Sequence, residues 1–247
     1  MLDVHPPHAP THTWRDFFIH IATICIGLLI AIGLEQTVEA IHHHHQREQL
    51  EEQLHAEAER NLALVYSNVE RLTGRLAFFD AFIVALNQAP VAGGRIQLTH
   101  LPERGKGFGQ GMTQPSQTVW AVAKAAGTVA LLPEEEAQVY SRLDHEAEML
   151  AADPDFDRAN MKLISLKLAR QGRAPEQFAS YTLAERDALL ETLSNISAQH
   201  RVLIILELNE AGACRGVLHG ARSVDEMIRY MLDEFKRPRA KQLMPRP

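Results

Sequence analysis

Histidine and glutamate are concentrated over residues 42 to 55 at spacings that could hold a metal ion. The chain contains thirteen histidines, and four of them are consecutive at 42–45. On a helix, neighbouring side chains point about 100° apart, whereas side chains one turn apart face the same way. Imidazole and carboxylate groups are good ligands for Zn²⁺, Cu²⁺ and Ni²⁺. The candidate metal ligands are therefore His42, His44, His45, Glu48, Glu52 and His55.

A solvated polar stretch is the other interpretation of this cluster, and it is the one we favour. A di-iron helix bundle needs the Glu-x-x-His motif twice together with two further glutamates. Glu52 and His55 supply one copy and Glu39 and His42 a second, but both copies lie on one predicted helix, whereas a di-iron bundle takes its copies from different helices. Weak binding of a single metal ion stays as the alternative.

Motifs of known catalytic and nucleotide-binding sites are missing from the sequence. It has no Gly-x-Ser-x-Gly, His-Glu-x-x-His, Walker or dinucleotide fingerprint. His200 lies on the apolar side of a late predicted helix, where a hydrogen-bonded core histidine is expected, and residues 144–146 read as a solvated helix face. The sequence thus predicts no enzyme activity, no cofactor and no small-molecule substrate.

An apolar run precedes the histidines and must position them. Residues 17–34 are eighteen in number and include no Asp, Glu, Lys or Arg. At about 1.5 Å per residue a helix of this length is roughly 27 Å long, which suits a hydrocarbon core. We predict a transmembrane anchor over 14–41. A buried core helix and a signal peptide cleaved after Val38-Glu39-Ala40 are the alternatives.

The anchor carries two further signals, one for orientation and one for packing. Arg15 precedes the apolar run, and Arg47 is the first arginine after it. Because the side with more arginine and lysine stays in the cytoplasm, this distribution favours, only mildly, a periplasmic domain on a bacterial inner membrane. Gly27 and Ala31 form a small-x-x-x-small pair, which allows another helix to approach closely. The expected partners are the lipid bilayer and a protein, or a second copy of the chain, bound through the membrane helix.

The rest of the chain has the composition of one folded domain. Hydrophobic residues make up 46% of the sequence and charged residues 23%, and the net charge of −6 does not point to nucleic acid. We expect an irregular tail over 1–13, a polar His-rich stalk over 42–61, a helical bundle over 62–236 and a basic, Pro-rich tail over 237–247. The two cysteines, Cys25 and Cys214, are not expected to pair.

One long helix is predicted from the anchor to about Gln88, since no proline occurs between Pro10 and Pro90. Its distal half has apolar residues at steps of three and four, which is a packing seam. We favour an intramolecular bundle over a coiled-coil dimer. The predicted seam comprises Leu62, Val65, Val69, Leu72, Leu76, Phe79, Ile83 and Leu86, and a later helix adds Trp120 as a large packing residue.

The remaining elements are a long loop followed by shorter helices. The loop over 89–115 is rich in glycine and proline, and loops of this length are often functional or mobile. Ser116 is expected to cap a helix over 117–131, and Pro133 followed by Glu134 to begin the next. Further helices are expected around Met161 to Leu168, after a Thr182–Glu185 capping box, and after Ser223. No stretch predicts a strand, so the fold class is all-α: a transmembrane helix that continues into a stalk helix and packs in an antiparallel bundle.

Two segments resemble a group of uncharacterised bacterial single-pass membrane proteins. They are WRDFFIHIATICIGLLIAIGLEQ at the anchor, which contains the G-L-L-I-A-x-G-L-E pattern, and TVWAVAKAAGTVALL at 118–132. The resemblance covers the anchor and roughly residues 115–145, and it implies a membrane anchor followed by a helical domain. It brings no activity and no site residues.

These observations predict a membrane-anchored helical bundle that acts as a non-catalytic interaction or accessory subunit. The alternatives are a membrane-tethered protein that binds metal through the juxtamembrane histidines, and a sensor-like bundle that binds a ligand.

Overall fold

A computed structural model describes residues 14–98, 100, 102–105, 108–151 and 180–237. Within these ranges the fold is all-α, as the sequence predicts, and it also contains a small sheet. The two predicted tails, apart from Arg237, and the predicted helix around Met161 to Leu168 lie outside the described residues.

The first helix, α1, spans Trp14–Gln88 without interruption. Its end matches the prediction, because Pro90 cannot continue a helix and disfavours helical geometry in the residue before it. By compactness the chain divides into two units, Met1–Gln49 and Leu50–Pro247. The described part of the first unit is helical throughout.

A small antiparallel sheet occupies part of the predicted loop, and its presence corrects the expectation of no strands. Strands β1 (Val91–Ala92) and β2 (Arg95–Gln97) form a hairpin, and β3 (Ser180–Thr182) pairs with β2. Gly93 and Gly94 connect the hairpin with φ of 59° and 74°. A two-residue turn with positive φ at both positions needs glycine or asparagine, and the Gly-Gly pair supplies it.

The shorter helices begin and end close to the predicted residues. They are α2 (Thr118–Ala126), a 3₁₀ turn (Thr128–Leu131), α3 (Glu134–Ala151), α4 (Leu183–Leu218) and α5 (Val224–Glu234). The Thr182–Glu185 capping box of α4 and the Ser223 cap of α5 are confirmed. The predicted helix over 117–131 is split, because Gly127 adopts a left-handed φ of 74° that ends α2.

Helices α1 and α4 pack against each other in antiparallel directions. Asp80 pairs with Arg201 near one end, and Tyr66 bonds to Arg215 further along, so residue numbers fall on α1 as they rise on α4. Most of the predicted seam is buried in this contact, while Leu62 and Ile83 are half-buried. Helix α5 lies against the end of α4, where Gly212 and Gly216 face Met231 and Met227.

The packed core begins inside the segment expected to be a polar stalk. Leu50, Leu54 and Ala58 are buried together with Trp120 and Met227. The second unit therefore starts at Leu50 and not at 62. The reason is that α2, α3 and α5 bring apolar residues to this part of α1. Glu57 and Asn61, between Leu54 and Leu62, make hydrogen bonds to Ser116.

Candidate functional site

The apolar segment of the first unit is a candidate membrane span. None of its most apolar 18-residue window is buried, and Phe18, Ile24 and Leu29 are 60%, 62% and 69% exposed. A helix with large apolar side chains all round is unstable in water, so lipid or protein must cover it. The alternative of a buried core helix finds no support in this exposure, whereas a signal sequence would meet the same criteria.

The histidine cluster contains pairs of contacts along one helix. His44 Nε2 lies 3.2 Å from Glu48 Oε1, and His45 Nδ1 lies 3.4 Å from Glu48 Oε2. His42 bonds to Gln46 at 3.0 Å. In the second unit, Glu52 is exposed and His55 is half-buried.

A metal centre does not form from these residues as they stand. Within the described residues no group of three or more His, Cys, Asp or Glu side chains is arranged to hold a metal ion. Metal binding by the six candidate ligands remains a prediction, to be tested by metal content.

Gly27 and Ala31 are exposed on the candidate span. A Cβ built at Gly27 meets nothing within 4 Å among the described residues. A surface of this kind is open to another helix, and the association stays a prediction.

A row of polar side chains on α1 fastens the segment 108–119, which we call the strap. We call the row the polar ladder, and its members are Glu57, Asn61, Asn68, Arg71 and Arg75. Each rung bonds to a strap residue, and the order of the contacts shows that the strap runs antiparallel to α1. The last part of the long loop, residues 108–115, is thus held along α1.

The upper rungs of the ladder are arginines that bind carbonyl oxygens. Buried Arg75 donates to the carbonyls of Phe108, at 3.2 Å, and Gln110, while Arg71 donates to Gly111 O at 3.0 Å. Gly105, just before the strap, lies against α1, because a Cβ there would be 3.2 Å from Gly74 Cα. The two guanidinium groups thus supply hydrogen-bond donors to three carbonyl oxygens of the strap.

The middle rungs are two asparagines that bind the strap backbone from both sides. Asn68 Nδ2 donates to Thr113 O at 2.7 Å, and Asn68 Oδ1 accepts from Thr113 N at 3.3 Å. Asn61 makes the same pair of bonds with Ser116, at 2.8 and 2.9 Å. An amide side chain in this arrangement imitates a neighbouring β-strand.

The lowest rung, Glu57, supplies the acceptor at the start of α2. Its Oε1 accepts from Ser116 Oγ at 2.6 Å, Thr118 N at 3.1 Å and Val119 N at 3.3 Å. A carboxylate at a helix N-terminus satisfies orphan N–H groups and complements the helix dipole. The expectation that Ser116 caps this helix is met only in part. Gln117 is the N-cap residue and makes no side-chain bond, while Ser116 Oγ accepts from Thr118 N at 3.3 Å and Glu57 on α1 supplies the other acceptor.

A small cavity adjoins this rung. Its volume is about 20 Å³, and Glu57, Asn61, Trp120 and Tyr140 are among the residues that line it. A cavity of this size is too small to hold a metabolite.

Two glutamates of α4 are buried behind the ladder. Glu207 and Glu210 are 3% and 0% exposed. Glu207 Oε1 accepts from Asn68 Nδ2 at 2.9 Å, and Glu210 Oε1 lies 3.5 Å from Cys214 Sγ. The second oxygen of each, Oε2, has no hydrogen-bond partner among the described residues.

Burial makes these carboxyls weak acids. It raises the pKa of Glu207 from 4.5 to about 8, and the bond from Asn68 opposes the rise only in part. Burial also raises the pKa of Glu210 to about 8, and the nearby charges of Glu146, Glu207 and Asp144 raise it further against the bond from Cys214. Both carboxyls therefore hold their protons near neutral pH.

No family model, curated protein or solved structure matches the chain. The resemblance to bacterial single-pass membrane proteins stays a prediction, and function has to be argued from the geometry.

A third polar group joins α5 to the bundle. Tyr66 OH donates to Glu234 Oε1 at 2.5 Å and accepts from Arg215 Nε at 3.0 Å. Glu234 Oε2 lies 2.9 Å from Arg215 Nε and 3.2 Å from Arg237 Nε, and the Glu234 side chain is 1% exposed. Burial, with the carboxylate beside it, raises the pKa of Tyr66. These contacts are structural, because the buried charge is paired on two sides.

His200 is a hydrogen-bonded core histidine. Its Nδ1 donates to Ile196 O at 3.0 Å, and its ring stands edge-to-face on Phe79.

The expectation of a solvated face at 144–146 is wrong for two of the three residues. Asp144 faces Lys124 at 2.8 Å, and Glu146 is buried beside Arg142, because α3 turns this side towards α2 and α4.

Sequence reasoning missed the ladder and the buried glutamates. A signal for the ladder was present: its members follow one another at steps of four, seven, three and four, which places them on one face of α1. Polar residues at these spacings beside an apolar seam indicate a bound partner segment. The spacing of Glu207 and Glu210 carries no such signal, since a step of three is equally common on exposed faces.

Proposed function

We propose that the chain is a single-pass membrane-anchored protein whose helical bundle binds another protein and performs no catalysis of its own. The observation that carries the proposal is the exposure of the apolar, uncharged run over 17–34. In water this surface would drive association, whereas in a bilayer its backbone groups are satisfied within the helix.

The polar interior of the bundle supports a structural role. Its ladder residues bind backbone groups of the strap, and its carboxyls bond to Asn68, Cys214, Tyr66 and Ser116. A catalytic site needs a group directed at a space that a substrate can enter. The cavity beside Glu57 is too small for that purpose.

The proposal includes an orientation, with the bundle in the periplasm of a bacterium. Its support is the position of Arg15 in the first turn of α1, against Arg47 as the first arginine after the span. Protease treatment of spheroplasts tests it: digestion of the bundle in intact spheroplasts is expected, and protection until lysis would reverse the orientation.

Extraction of the native full-length protein in a gentle detergent tests the main proposal. We expect the protein in the membrane fraction, resistant to alkaline carbonate, with a stoichiometric protein partner found by mass spectrometry. Replacing Leu29 by Arg should reduce insertion, since a central charge costs about 3 kcal/mol. A protein that stays soluble, or that carries a metal ion and no partner, would contradict the proposal.

Matched variants show whether the partner binds through the membrane helix. Gly27→Ile fills the small-residue surface, and Gly33→Ile adds the same bulk roughly 120° around the helix. Neither position has an atom within 4 Å of an added Cβ, so both variants should fold. If only Gly27→Ile loses the partner, the partner contacts the membrane helix at Gly27. If both variants keep the partner, it binds the bundle.

Metal binding is the second candidate. The observation in its favour is that Glu48 contacts both His44 and His45. Exposed histidine and glutamate one turn apart can supply two or three ligands of a weak site. Metal content, measured on the same extracted sample, separates this candidate from the main proposal.

A further inference from the structure

Glu207 and Glu210 lie one turn apart on α4, and solvent does not reach either carboxyl. Each has one oxygen in a hydrogen bond and one oxygen without a partner among the described residues. An ionised carboxylate in such a place is strongly disfavoured unless a cation pairs with it.

The surrounding groups do not provide that cation. On the α1 side, Asn68 bonds to Glu207, and the charge of Glu57 is felt at Cys214. On the α3 side, the charges of Asp144 and Glu146 act on Glu210. Lys124 pairs with Asp144, and Arg142 pairs with Glu146 although its Nε has no hydrogen-bond partner among the described residues. No lysine or arginine contributes to the pKa of Glu207 or of Glu210. Helix α5 brings Met227 and Met231 to α4, and Cys214 is a neutral thiol whose pKa burial raises.

A metal ion does not fit here either, since the described residues hold no group of three suitable ligands. The proton is the cation that needs no extra space or ligands. When a proton is bound, each carboxyl is neutral. The proton then resides on Oε2, the oxygen that accepts no hydrogen bond from the described residues.

We propose that Glu207 and Glu210 are a proton-binding pair that controls whether the strap stays fastened to α1. The link between them is Asn68, whose Nδ2 donates to Glu207 Oε1 at 2.9 Å and to Thr113 O at 2.7 Å. The same amide group thus holds α4 with one bond and the strap with the other.

Loss of the protons breaks an O–H bond in each carboxyl and releases H⁺ to solvent, leaving two carboxylates. Two like charges one turn apart in an apolar interior repel each other and require water. Water reaches them only if α4 separates from α1 around Asn68, and that separation removes the contact that orients the Asn68 amide towards Thr113. The strap residues beside Asn68 and Asn61 then exchange with solvent. The inference concerns the bundle alone and does not depend on the membrane proposal.

Amide hydrogen exchange of the full-length protein in detergent tests the proposal. Protection factors of the strap are compared at about pH 6 and about pH 9, after correction for the intrinsic effect of pH. We expect the wild-type strap to lose about tenfold or more of its protection at the higher pH, which corresponds to about 1.4 kcal/mol. The double variant Glu207→Gln, Glu210→Gln has neutral side chains of the same shape and should keep its protection.

Glu191→Gln is the matched control, because Glu191 is exposed on the same helix. It should behave as the wild type does. Equal protection of the wild-type strap at the two pH values would overturn the proposal, and so would an equal loss in the double variant. A loss spread evenly over α3 and α5 would overturn it too, since it would indicate general loosening. Infrared spectra of the wild type give an independent reading, because the carbonyl band of protonated carboxyls should disappear between the two pH values.

Discussion

Asn68 on α1 donates a hydrogen bond of 2.9 Å to Glu207 on α4, although 139 residues separate them in the chain. Both side chains are buried, with 1% and 3% exposure. A neutral amide bonded to a protonated carboxyl places no charge in the core. The contact therefore ties the antiparallel helix pair to the strap, and it makes the stability of the bundle sensitive to pH.

The free energy of unfolding is predicted to fall as the pH rises from about 4.5 to about 8. In the unfolded chain Glu207 and Glu210 ionise near 4.5, whereas in the fold both pKa values are about 8. The stabilising contribution is complete below the unfolded pKa and is lost as the pH rises through the folded pKa, by at most about 1.4 kcal/mol per pH unit and group. Urea unfolding over this pH range measures it.

Glu207→Gln is expected to flatten this slope. The variant should match the wild type near pH 4 and be more stable than the wild type near pH 8, because glutamine does not ionise and still accepts from Asn68. Glu191→Gln, exposed on α4, should leave the slope unchanged. Identical slopes in the wild type and in Glu207→Gln would show that this carboxyl is not titrating.

Asn68→Ala is predicted to destabilise the bundle by about 2 kcal/mol. The change removes the bonds to Thr113 and leaves the Glu207 carboxyl without its donor, and unsatisfied buried groups are expensive. Chemical denaturation measures the loss, and hydrogen exchange should show it first in the strap. Asn87→Ala, on an exposed position of the same helix, should change stability by less than about 0.5 kcal/mol. Equal effects of the two variants would contradict the role given to Asn68.

Gly212→Ala is predicted to weaken the docking of α5 on α4. An added Cβ would lie 2.3 Å from Met231 Cα, and backbone atoms cannot move away as a flexible side chain can. We expect a loss of about 2 to 3 kcal/mol in thermal or urea unfolding. Gly216→Ala meets the flexible Met227 Cγ at 3.2 Å and should cost less, while Gly109→Ala meets nothing within 4 Å. If the losses of stability of the three variants followed the reverse order, the close approach of α5 to α4 would be refuted.

Replacing His42 to His45 by glutamine is predicted to leave the helical content and membrane association unchanged. All four side chains are exposed on a continuous helix, and glutamine is a good helix former. Circular dichroism and membrane fractionation measure these properties. Metal content measured on the same samples decides the second candidate function: abolition of tight Zn²⁺, Cu²⁺ or Ni²⁺ binding supports it, and an equal metal content in the variant excludes the histidines as ligands.

Features that depend on near neighbours could be predicted from the sequence. The end of α1 at Gln88, the Thr182–Glu185 capping box and the Ser223 cap follow from proline geometry and from bonds that span a few residues. The apolar run over 17–34 was evident for the same reason, because its length and lack of charge are local properties. The helical class follows from these elements together.

The sheet and the strap needed the tertiary structure, because their partners are distant in sequence. Strand β2 becomes a strand by pairing with β3, whose residues lie some 85 positions later. Asn61 and Asn68 read as ordinary polar helix residues until the strap, 45 to 55 residues away, is placed against them.

Sequence alone thus determined the end of α1, the starts of α4 and α5 and the segment that suits a membrane, since these are set by interactions within a turn or by composition. Tertiary structure decided which polar residues are buried, and with them the properties of the interior. Glu207 and Glu191 are the same residue type on the same helix, yet one lies behind Asn68 with a pKa of about 8 and the other faces solvent. Burial and hydrogen bonding, which come from the packing of distant segments, make that difference.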